Sequence, residues 1–250
     1  MWRLDSRSAM PAWHPTPASP GVRMAFSTRR GGISQPPYDA LNLGRSTRDR
    51  PEAVEQNRRR LLSALGLDST RLATAGQVHG ATVTRAREGG LHPACDALVT
   101  TAPGLTVAVS AADCLPVLLT GPRAVAAVHA GWRGAAAGAP AAALRALMAC
   151  SEAAPSQVHA HLGPCIRDCC YRVGIDVARI FPEGAVRRDH DSLYLSLPVA
   201  VRQALVDEGV PPDAIEDTGA CTSCEPHWYF SHRRDHGETG RQWGLVALVD

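Results

Sequence analysis

A thiol and an imidazole flank two short apolar segments in the middle of the chain. Cys114 precedes the first segment, residues 115–119, and His129 follows the second, residues 124–128. Segments this short, rich in Val, Leu and Ala and bounded by Gly and Pro, predict buried strands. A Thr-Gly-Pro-Arg turn separates them, so pairing as a hairpin would place Cys114 beside His129. Such a pair suits either a nucleophile with its base or two ligands of a metal ion.

A second imidazole, His79, lies in the turn-like sequence Gln-Val-His-Gly and would by itself be read as a surface histidine. Together with Cys114 and His129 it favours a mononuclear zinc site, because catalytic zinc takes three protein ligands and leaves the fourth position to water or substrate. The zinc-bound water is then the only catalytic group that we assign. The spacings between the three residues match no linear metal motif.

Two alternatives remain open at this point. Cys114 and His129 could act without metal as a Cys-His hydrolase on cell-wall peptide precursors, and such a dyad has no need of His79. The three residues could instead hold a structural zinc in a binding module that is not an enzyme. A copper oxidase is rejected, because only two of the ten histidines lie in glycine-framed motifs.

The remaining clustered cysteines are interpreted as structural thiols. Cys221 and Cys224 have the C-x-x-C spacing, but no second well-spaced pair follows that would complete a site of four thiolates. Cys169 and Cys170 are adjacent, an awkward arrangement for two ligands of one tetrahedral ion. We therefore expect these four thiols to be reduced and dispensable for metal binding.

The composition excludes several function classes. All 26 basic residues are arginine, which removes the Walker phosphate loop and every Schiff-base mechanism, because both need lysine. The net charge of +2 gives no electrostatic case for nucleic acid or membrane binding. No apolar segment has the length of a signal-peptide core or a membrane span. We expect a cytoplasmic protein, and the oligomeric state is left open.

The pattern of elements predicts one α/β domain, residues 25–250, preceded by an extended lead-in at residues 1–24. A helix is expected to begin at an N-cap Asp49 with a capping box and to stop at Gly66. Further helices are expected at residues 139–150 and about 198–208, and a closing strand at residues 245–249.

Ten sequence motifs together resemble the laccase-domain or YfiH-like family. Members of that family are described as polyphenol oxidases, purine nucleoside phosphorylases and peptidoglycan editing factors. The motifs run in order through nearly the whole chain: FSTRRGGIS, LNLG, QVHG, CDALVT, ADCLPVLL, AAVHAGWRG, LGPCI with CCY, CTSC, FSHRRD and TGR. The resemblance implies a single-domain α-β-β-α sandwich with mixed sheets, and a zinc ion (Zn2+) bound by His79, Cys114 and His129.

The resemblance also implies an activity. Family members look like enzymes that cleave adenosine, inosine, guanosine and methylthioadenosine with inorganic phosphate, and that deaminate adenosine. Arg29 and Arg234 are the expected phosphate contacts and Asn42 a substrate contact, since guanidinium forks bind anions. Arg172 departs from the family pattern, in which an acidic residue is usual, so the loop from Cys165 to Tyr171 is given no role.

Overall fold

Two mixed β-sheets pack face to face, and helices cover their outer faces. The structure, a computed structural model, describes residues 1–249. The strands are β1 (Trp2–Asp5), β2 (Ala12–Pro15), β3 (Val22–Ser27), β4 (Leu72–Ala75), β5 (Val83–Arg85), β6 (Gly90–His92), β7 (Ala97–Thr100), β8 (Thr106–Ala111), β9 (Leu115–Thr120), β10 (Val125–Ala130), β11 (His159–Leu162), β12 (Arg172–Val173), β13 (Val186–Asp189), β14 (Ser192–Leu195), β15 (Ile215–Asp217) and β16 (Gln242–Leu248). The helices are α1 (Pro51–Ala64), α2 (Trp132–Ala136), α3 (Ala139–Ser151), α4 (Ile175–Ala178) and α5 (Leu197–Asp207), with single 3₁₀ turns at Pro155–Gln157, Glu183–Ala185 and Pro212–Ala214.

The two large sheets each combine parallel and antiparallel neighbours. The seven-stranded sheet has the order β1-β2-β3-β16-β8-β4-β6, and the six-stranded sheet has the order β15-β11-β9-β10-β7-β5. A small antiparallel sheet, β12-β14-β13, is not hydrogen-bonded to either of them, and its Leu195 packs in the core of the six-stranded sheet. Helix α1 covers the outer face of the larger sheet, while α3 and α5 cover the outer face of the other. This arrangement is the α-β-β-α sandwich predicted from the sequence.

The central hairpin β9–β10 is buried on both faces. In β9, Leu118 points between the two sheets, whereas Val117 and Leu119 point toward the helices. Alternation of this kind follows from the period of two residues in a strand, and burial on both sides explains the continuous apolar segments in the sequence. The register pairs His129 with Pro116. The hairpin predicted from the sequence is therefore present.

The N-terminal residues form part of the larger sheet. Residues 1–24 were expected to be an extended lead-in, but β1 and β2 pair as an antiparallel hairpin and β2 continues onto β3. Trp2 anchors this hairpin, because its ring packs 4.7 Å from that of Phe26 and its Nε1 donates to His161 Nδ1 at 3.2 Å. Because Trp2 is buried in the core between the sheets, strand β1 is held against the rest of the larger sheet.

The expectation of a capping box at Asp49 is wrong. Helix α1 has Arg50 at its N-cap position without a side-chain cap, and Pro51 begins the helix with the φ angle that proline favours there. The Asp49 carboxylate instead accepts hydrogen bonds from Ser34 Oγ at 2.6 Å and Asn42 Nδ2 at 3.0 Å. The Asp49 side chain thus stabilises two preceding loops and does not cap the helix.

Smaller differences lie at the ends of elements. Strand β16 begins at Gln242, three residues earlier than expected, because its pairing with β8 continues to Ala111. Helix α5 begins at Leu197 behind an N-cap Ser196 whose Oγ accepts from Val199 N at 3.5 Å. Within residues 1–249, no helix combines the length and the apolarity that crossing a bilayer requires.

Leu118 offers a test of the sheet-to-sheet packing. The side chain is fully buried between the sheets, so Leu118→Ala should lower the free energy of unfolding by about 2–5 kcal/mol through lost burial and a new cavity. Leu91→Ala is the matched control, because Leu91 is 57% exposed. Urea denaturation of both variants measures the difference. Equal destabilisation by the two substitutions would contradict the packing described here.

Candidate metal centre

His79, Cys114 and His129 lie together at one end of the β9–β10 hairpin. One ligand atom from each of them lies within 4.8 Å of the others. The two imidazole rings are 4.9 Å apart and nearly perpendicular. His129 is buried in β10, Cys114 is half-buried before β9, and His79 is exposed in a loop. The structure brings together the three residues that the sequence analysis grouped.

Unusual backbone conformations aim two of these side chains. His79 has a φ angle of 62°, and Asp113, immediately before Cys114, has a φ angle of 90°. L-residues rarely adopt such positive values, so contacts nearby must hold them. Gly131 is required for a different reason. A Cβ atom there would lie 2.8 Å from Cys114 Sγ and 3.3 Å from His79 Cδ2, so any larger residue would push into these two side chains.

Asp96 is the functional residue that the sequence analysis missed. Its carboxylate is fully buried and accepts hydrogen bonds from the backbone N–H groups of Val78 (3.1 Å), His79 (2.9 Å) and Gly80 (2.7 Å). It also lies 2.9 Å from Nδ1 of His129. One carboxylate therefore fixes the loop of the first histidine and the ring of the second, leaving Nε2 of His129 available as a ligand.

The sequence held one signal for Asp96. The residue precedes β7, whose antiparallel pairing with β10 sets Ala97 opposite Val128. Asp96 precedes Ala97, and His129 follows Val128. The antiparallel pairing therefore places Asp96 beside His129. Detecting it needed the register between β7 and β10, which the sequence alone did not supply.

Charges in the site are strongly coupled. Burial tends to raise the pKa of the Cys114 thiol, but His129 and His79 overcome this effect and lower it to about 6. Burial tends to lower the pKa of His129, while the Cys114 thiolate and Asp96 raise it to about 9. The pKa of Asp96 is lowered despite its burial by the hydrogen bond with His129. The lowered pKa favours the thiolate of Cys114, the form in which cysteine binds metals.

The three side chains fit a zinc ion. Thiolate and imidazole are the ligand types that zinc accepts together, and three protein ligands leave one coordination position open. The carboxylate of Asp96 behind His129 supplies the outer hydrogen bond typical of metal-binding histidines. The close approach of Gly131 to Cys114 leaves no space for a side chain among the ligands.

Asp113 links this site to a distant loop. Its Oδ1 accepts a hydrogen bond from Thr222 Oγ1 at 2.7 Å, and its Oδ2 accepts one from the backbone N–H of Arg233 at 2.6 Å. The backbone carbonyl of Asp113 accepts from Ile166 N at 2.9 Å. Since Cys114 is the next residue, three separate segments determine where its sulfur lies.

Arg29 is occupied by contacts within the protein. Its Nε donates to the backbone carbonyl of Asp39 at 2.8 Å, and Nη2 lies 3.2 Å from Oδ1 of the same residue. The guanidinium also lies 4.6 Å from the ring centre of Phe230. These contacts hold Arg29 beside the loop at residues 37–41, and its contact with phosphate stays a prediction.

Asn42 and Arg234 are also used internally. Asn42 is fully buried, and its Oδ1 accepts from the backbone N–H of Gly44 at 3.0 Å and of Arg241 at 2.9 Å. Arg234 forms a bidentate pair with Asp235, in which Nε donates to Oδ1 at 2.7 Å and Nη2 donates to Oδ2 at 2.8 Å. Its Nη2 also donates to the carbonyl of Tyr229 at 3.0 Å. The structure therefore directs the hydrogen-bonding groups of both residues to neighbouring loops.

A polar cavity of about 340 Å³ adjoins these loops. It is lined by nine residues: Tyr38, Ser46, Thr47, Arg48, His236, Gly237, Glu238, Thr239 and Arg241. Burial lowers the pKa of Arg241, and the charges of Cys114 and Asp113 act against that effect. Arg241, the last residue of the TGR motif, is therefore a charged group on the wall of the cavity that also responds to the charges of Cys114 and Asp113.

Four further cysteines form a second group, the four-cysteine cluster: Cys169, Cys170, Cys221 and Cys224. Their sulfur atoms all lie within 4.8 Å of one another. The sequence analysis set aside a four-thiolate arrangement because no second pair follows the C-x-x-C motif. The structure corrects this interpretation, since the second pair precedes the motif by some fifty residues and a loop brings it back.

The fold and the first ligand group define an α/β sandwich protein with a candidate mononuclear metal site. The chain belongs to the family described as "Multi-copper polyphenol oxidoreductase laccase", whose sequence profile matches residues 23–249. It is 38% identical over 253 residues to the purine nucleoside phosphorylase YfiH of Shigella flexneri, covering 98% of this chain and 100% of that protein. It is 40% identical over 233 residues to the purine nucleoside phosphorylase of Deinococcus radiodurans, covering 91% and 89% of the two chains.

Solved structures agree with this assignment. The crystal structure of the hypothetical protein YfiH of Bacillus licheniformis matches with a TM-score of 0.93 at 31% identity, covering 99% of this chain and 98% of that one. YlmD from Geobacillus stearothermophilus matches with a TM-score of 0.92 at 31% identity, covering 100% and 99%. The YfiH-like resemblance and the mixed α/β fold predicted from the sequence are confirmed.

Asp96→Asn tests the role of the buried carboxylate. The amide keeps the size of the side chain but sets an NH2 group against backbone N–H donors and weakens the hold on His129. We expect zinc affinity to fall about 10- to 100-fold, the usual cost of losing such an outer partner. Competition with a chromophoric chelator measures the affinity. Asp213→Asn, at an exposed position, is the control, and an unchanged affinity in Asp96→Asn would refute the assignment.

Proposed function

We propose that this protein is a zinc-dependent purine nucleoside phosphorylase that acts on adenosine, inosine, guanosine and methylthioadenosine, and that it also deaminates adenosine. The observation that carries the proposal is the convergence of His79, Cys114 and His129 within 4.8 Å. Relatives named purine nucleoside phosphorylase that match over at least nine-tenths of this chain support the reaction class.

His79, Cys114 and His129 would hold the zinc ion. A zinc ion held there supplies a Lewis acid and a concentrated positive charge. Asp96 keeps His129 in the tautomer whose Nε2 faces the ligand group, since it occupies Nδ1. Gly131 keeps the space around Cys114 and His79 clear of side chains. The residues of the chain thus prepare the site before any ligand arrives.

Phosphorolysis requires a dianion to be held without lysine. In the reaction, an oxygen of hydrogen phosphate bonds to C1′ of the ribose while the bond from C1′ to N9 breaks, and the proton that the phosphate loses ends on the departing purine. We assign the phosphate to the polar cavity, where Arg48, His236 and Arg241 offer positively charged or hydrogen-bonding groups. Arg241 is held by hydrogen bonds from Nη1 to the carbonyls of Thr239 (2.7 Å) and Gly240 (2.9 Å). A guanidinium fixed in this way binds an anion with little loss of side-chain entropy.

Adenosine deamination would use the same ligand group. Water replaces the exocyclic amine at C6 of adenosine, which yields inosine and ammonia. Zinc deaminases of nucleobases elsewhere combine cysteine and histidine ligands, and this chain offers the same ligand types at residues 79, 114 and 129. The nucleoside therefore binds in one place for both reactions.

The metal-free hydrolase remains the second candidate. The observation that favours it is the lowered pKa of Cys114 beside His129, which resembles the activated thiolate of cysteine hydrolases. His79 counts against it, because a dyad does not require a second imidazole next to the thiolate. Cell-wall peptide precursors are the substrate class that this alternative would take.

We further propose that the protein acts in the cytoplasm, with purine nucleosides and inorganic phosphate as its partners and without nucleic acid or membrane partners. All eight cysteines are free in the structure, which suits a reducing compartment.

Zinc and phosphate dependence test the reaction. With inosine, the purified protein should release ribose 1-phosphate only when phosphate is present, and a chelator should abolish the release until zinc is restored. His79→Ala should lose the metal and reduce the rate about 100-fold or more, because a main source of charge stabilisation is lost. His190→Ala, which alters an exposed histidine, is the control. Peptide cleavage that survives the chelator and is blocked by alkylation of Cys114 would establish the hydrolase instead.

Arg241→Met tests the phosphate assignment. Loss of a charge-assisted hydrogen bond should raise the KM for phosphate about 10-fold or more, with a smaller change in the KM for inosine. Arg188→Met, at an exposed position on β13, is the matched control. Steady-state kinetics with phosphate as the varied substrate give the values. A phosphate KM that rises in Arg29→Ala but not in Arg241→Met would return the role to Arg29.

A further inference from the structure

We propose that the four-cysteine cluster binds one thiophilic divalent cation, zinc foremost, at a tetrathiolate site separate from His79, Cys114 and His129. The site goes beyond the proposed function, because none of its four cysteines belongs to the first ligand group. The ion bound at this site is structural and cross-links two loops.

The distances between the sulfur atoms suit a single ion. Cys224 Sγ lies 3.2 Å from Cys170 Sγ and 3.5 Å from Cys169 Sγ, and Cys169 Sγ lies 3.5 Å from Cys221 Sγ. With zinc–sulfur bonds of about 2.3 Å, neighbouring sulfurs of a regular tetrahedron lie about 3.8 Å apart. These three distances are therefore slightly shorter than the edge of that tetrahedron, and small rotations of the side chains would lengthen them.

Two disulfides describe the group less well. A disulfide joins two sulfurs at about 2.05 Å and leaves each with one partner. Here Cys169 contacts both Cys221 and Cys224, and Cys224 contacts both Cys169 and Cys170. The four sulfurs thus form a connected group and do not divide into two pairs. Such a shared arrangement is that of four ligands around one centre.

The backbone explains how adjacent cysteines can serve together. A turn in which the N–H of Cys170 donates to the carbonyl of Arg167 at 2.9 Å carries Cys169 and Cys170 past the C-x-x-C motif. At its base, Cys165 and Cys221 form a parallel β-bridge, and Thr222 N donates to the carbonyl of Cys165 at 3.0 Å. Two loops anchored at one end by backbone bonds therefore meet at the other end through their sulfurs.

The ligand type selects the ion. Four thiolates favour zinc or iron among the metals of proteins. A polynuclear iron–sulfur cluster would hold its thiolates farther apart, with several irons and sulfides between them, whereas these four sulfurs lie within 4.8 Å of one another. The group is therefore sized for one ion.

Thr222 connects the four-cysteine cluster to the site of His79, Cys114 and His129. This residue lies inside the C-x-x-C loop, and its Oγ1 donates to Asp113 Oδ1 at 2.7 Å. Asp113 precedes Cys114 and has a φ angle of 90°. Tying the loop of Thr222 to the loop of Cys169 would hold Asp113 in this conformation, so the four-cysteine cluster positions Cys114 without touching substrate.

Metal stoichiometry tests the inference on the full chain, purified under reducing conditions. Elemental analysis should find about two zinc ions per chain, one at each site. The double variant Cys221→Ser/Cys224→Ser should keep one, and His79→Ala/His129→Ala should also keep one. Cys150→Ser, which alters a half-buried thiol outside both groups, should keep both. The His79→Ala/His129→Ala protein leaves all four cysteines intact, so the test stands even if the cysteine variant does not fold.

Failure of this inference and failure of the proposed function give different results. A single zinc that disappears in His79→Ala/His129→Ala overturns the tetrathiolate site and leaves the first site standing. A single zinc that persists there and disappears in Cys221→Ser/Cys224→Ser supports the tetrathiolate site and removes the metal from the proposed function. A mass lower by two hydrogen atoms for each disulfide, without bound metal at the cysteines, overturns the inference.

Cobalt substitution gives a readout independent of activity. Thiolate-to-cobalt charge transfer grows with the number of cobalt–sulfur bonds, so the four-cysteine cluster should supply most of this absorption. The absorption should fall several-fold in Cys221→Ser/Cys224→Ser and only slightly in His79→Ala/His129→Ala. The opposite pattern, or acid-labile sulfide in the purified protein, overturns a site for one ion.

Discussion

The buried carboxylate of Asp96 is the interaction on which the rest of the metal centre depends. It receives three backbone N–H groups and the Nδ1 side of His129 with no exposure to solvent. An ionised carboxylate is stable in such a place only when its oxygens are hydrogen-bonded. The same bonds hold His79 at its positive φ angle. Removing any one donor would therefore disturb a loop, a strand and both imidazoles together.

Arginine side chains hold several loops of the fold in place. Two nitrogens of Arg58 donate to the carbonyl of Leu43, and Arg202 bridges the carbonyls of Pro212 and Ile215. A guanidinium reaches several acceptors in fixed directions and stays charged, which an ammonium does not match. In this chain without lysine, arginine side chains therefore hold loops in place as well as offering positive charge to anions.

The sequence predicted what depends on local patterns. The β9–β10 hairpin and the grouping of Cys114 with His129 follow from apolar segments and a turn, and His79 joins them as the third ligand that a zinc site needs. Asp96 was missed because its role depends on strand register across 33 residues. The four-cysteine cluster was missed because its pairs are joined only by folding of the intervening chain. The N-terminal strands were not predicted because prolines and serines obscure the alternation of apolar and polar residues. The spacing of the motifs does not reveal that Arg29 and Arg234 donate hydrogen bonds within the protein.

The position of β16 has a consequence for biosynthesis. Residues 242–248 fill the slot between β3 and β8, near the middle of the larger sheet. Until the ribosome has released them, two strands more than seventy residues apart in sequence face each other with unpaired backbone groups. Exposed strand edges of this kind recruit other chains. At about 5–20 residues per second, synthesis of the chain between β8 and β16 takes several seconds or more, so this position in the sheet stays open for that interval.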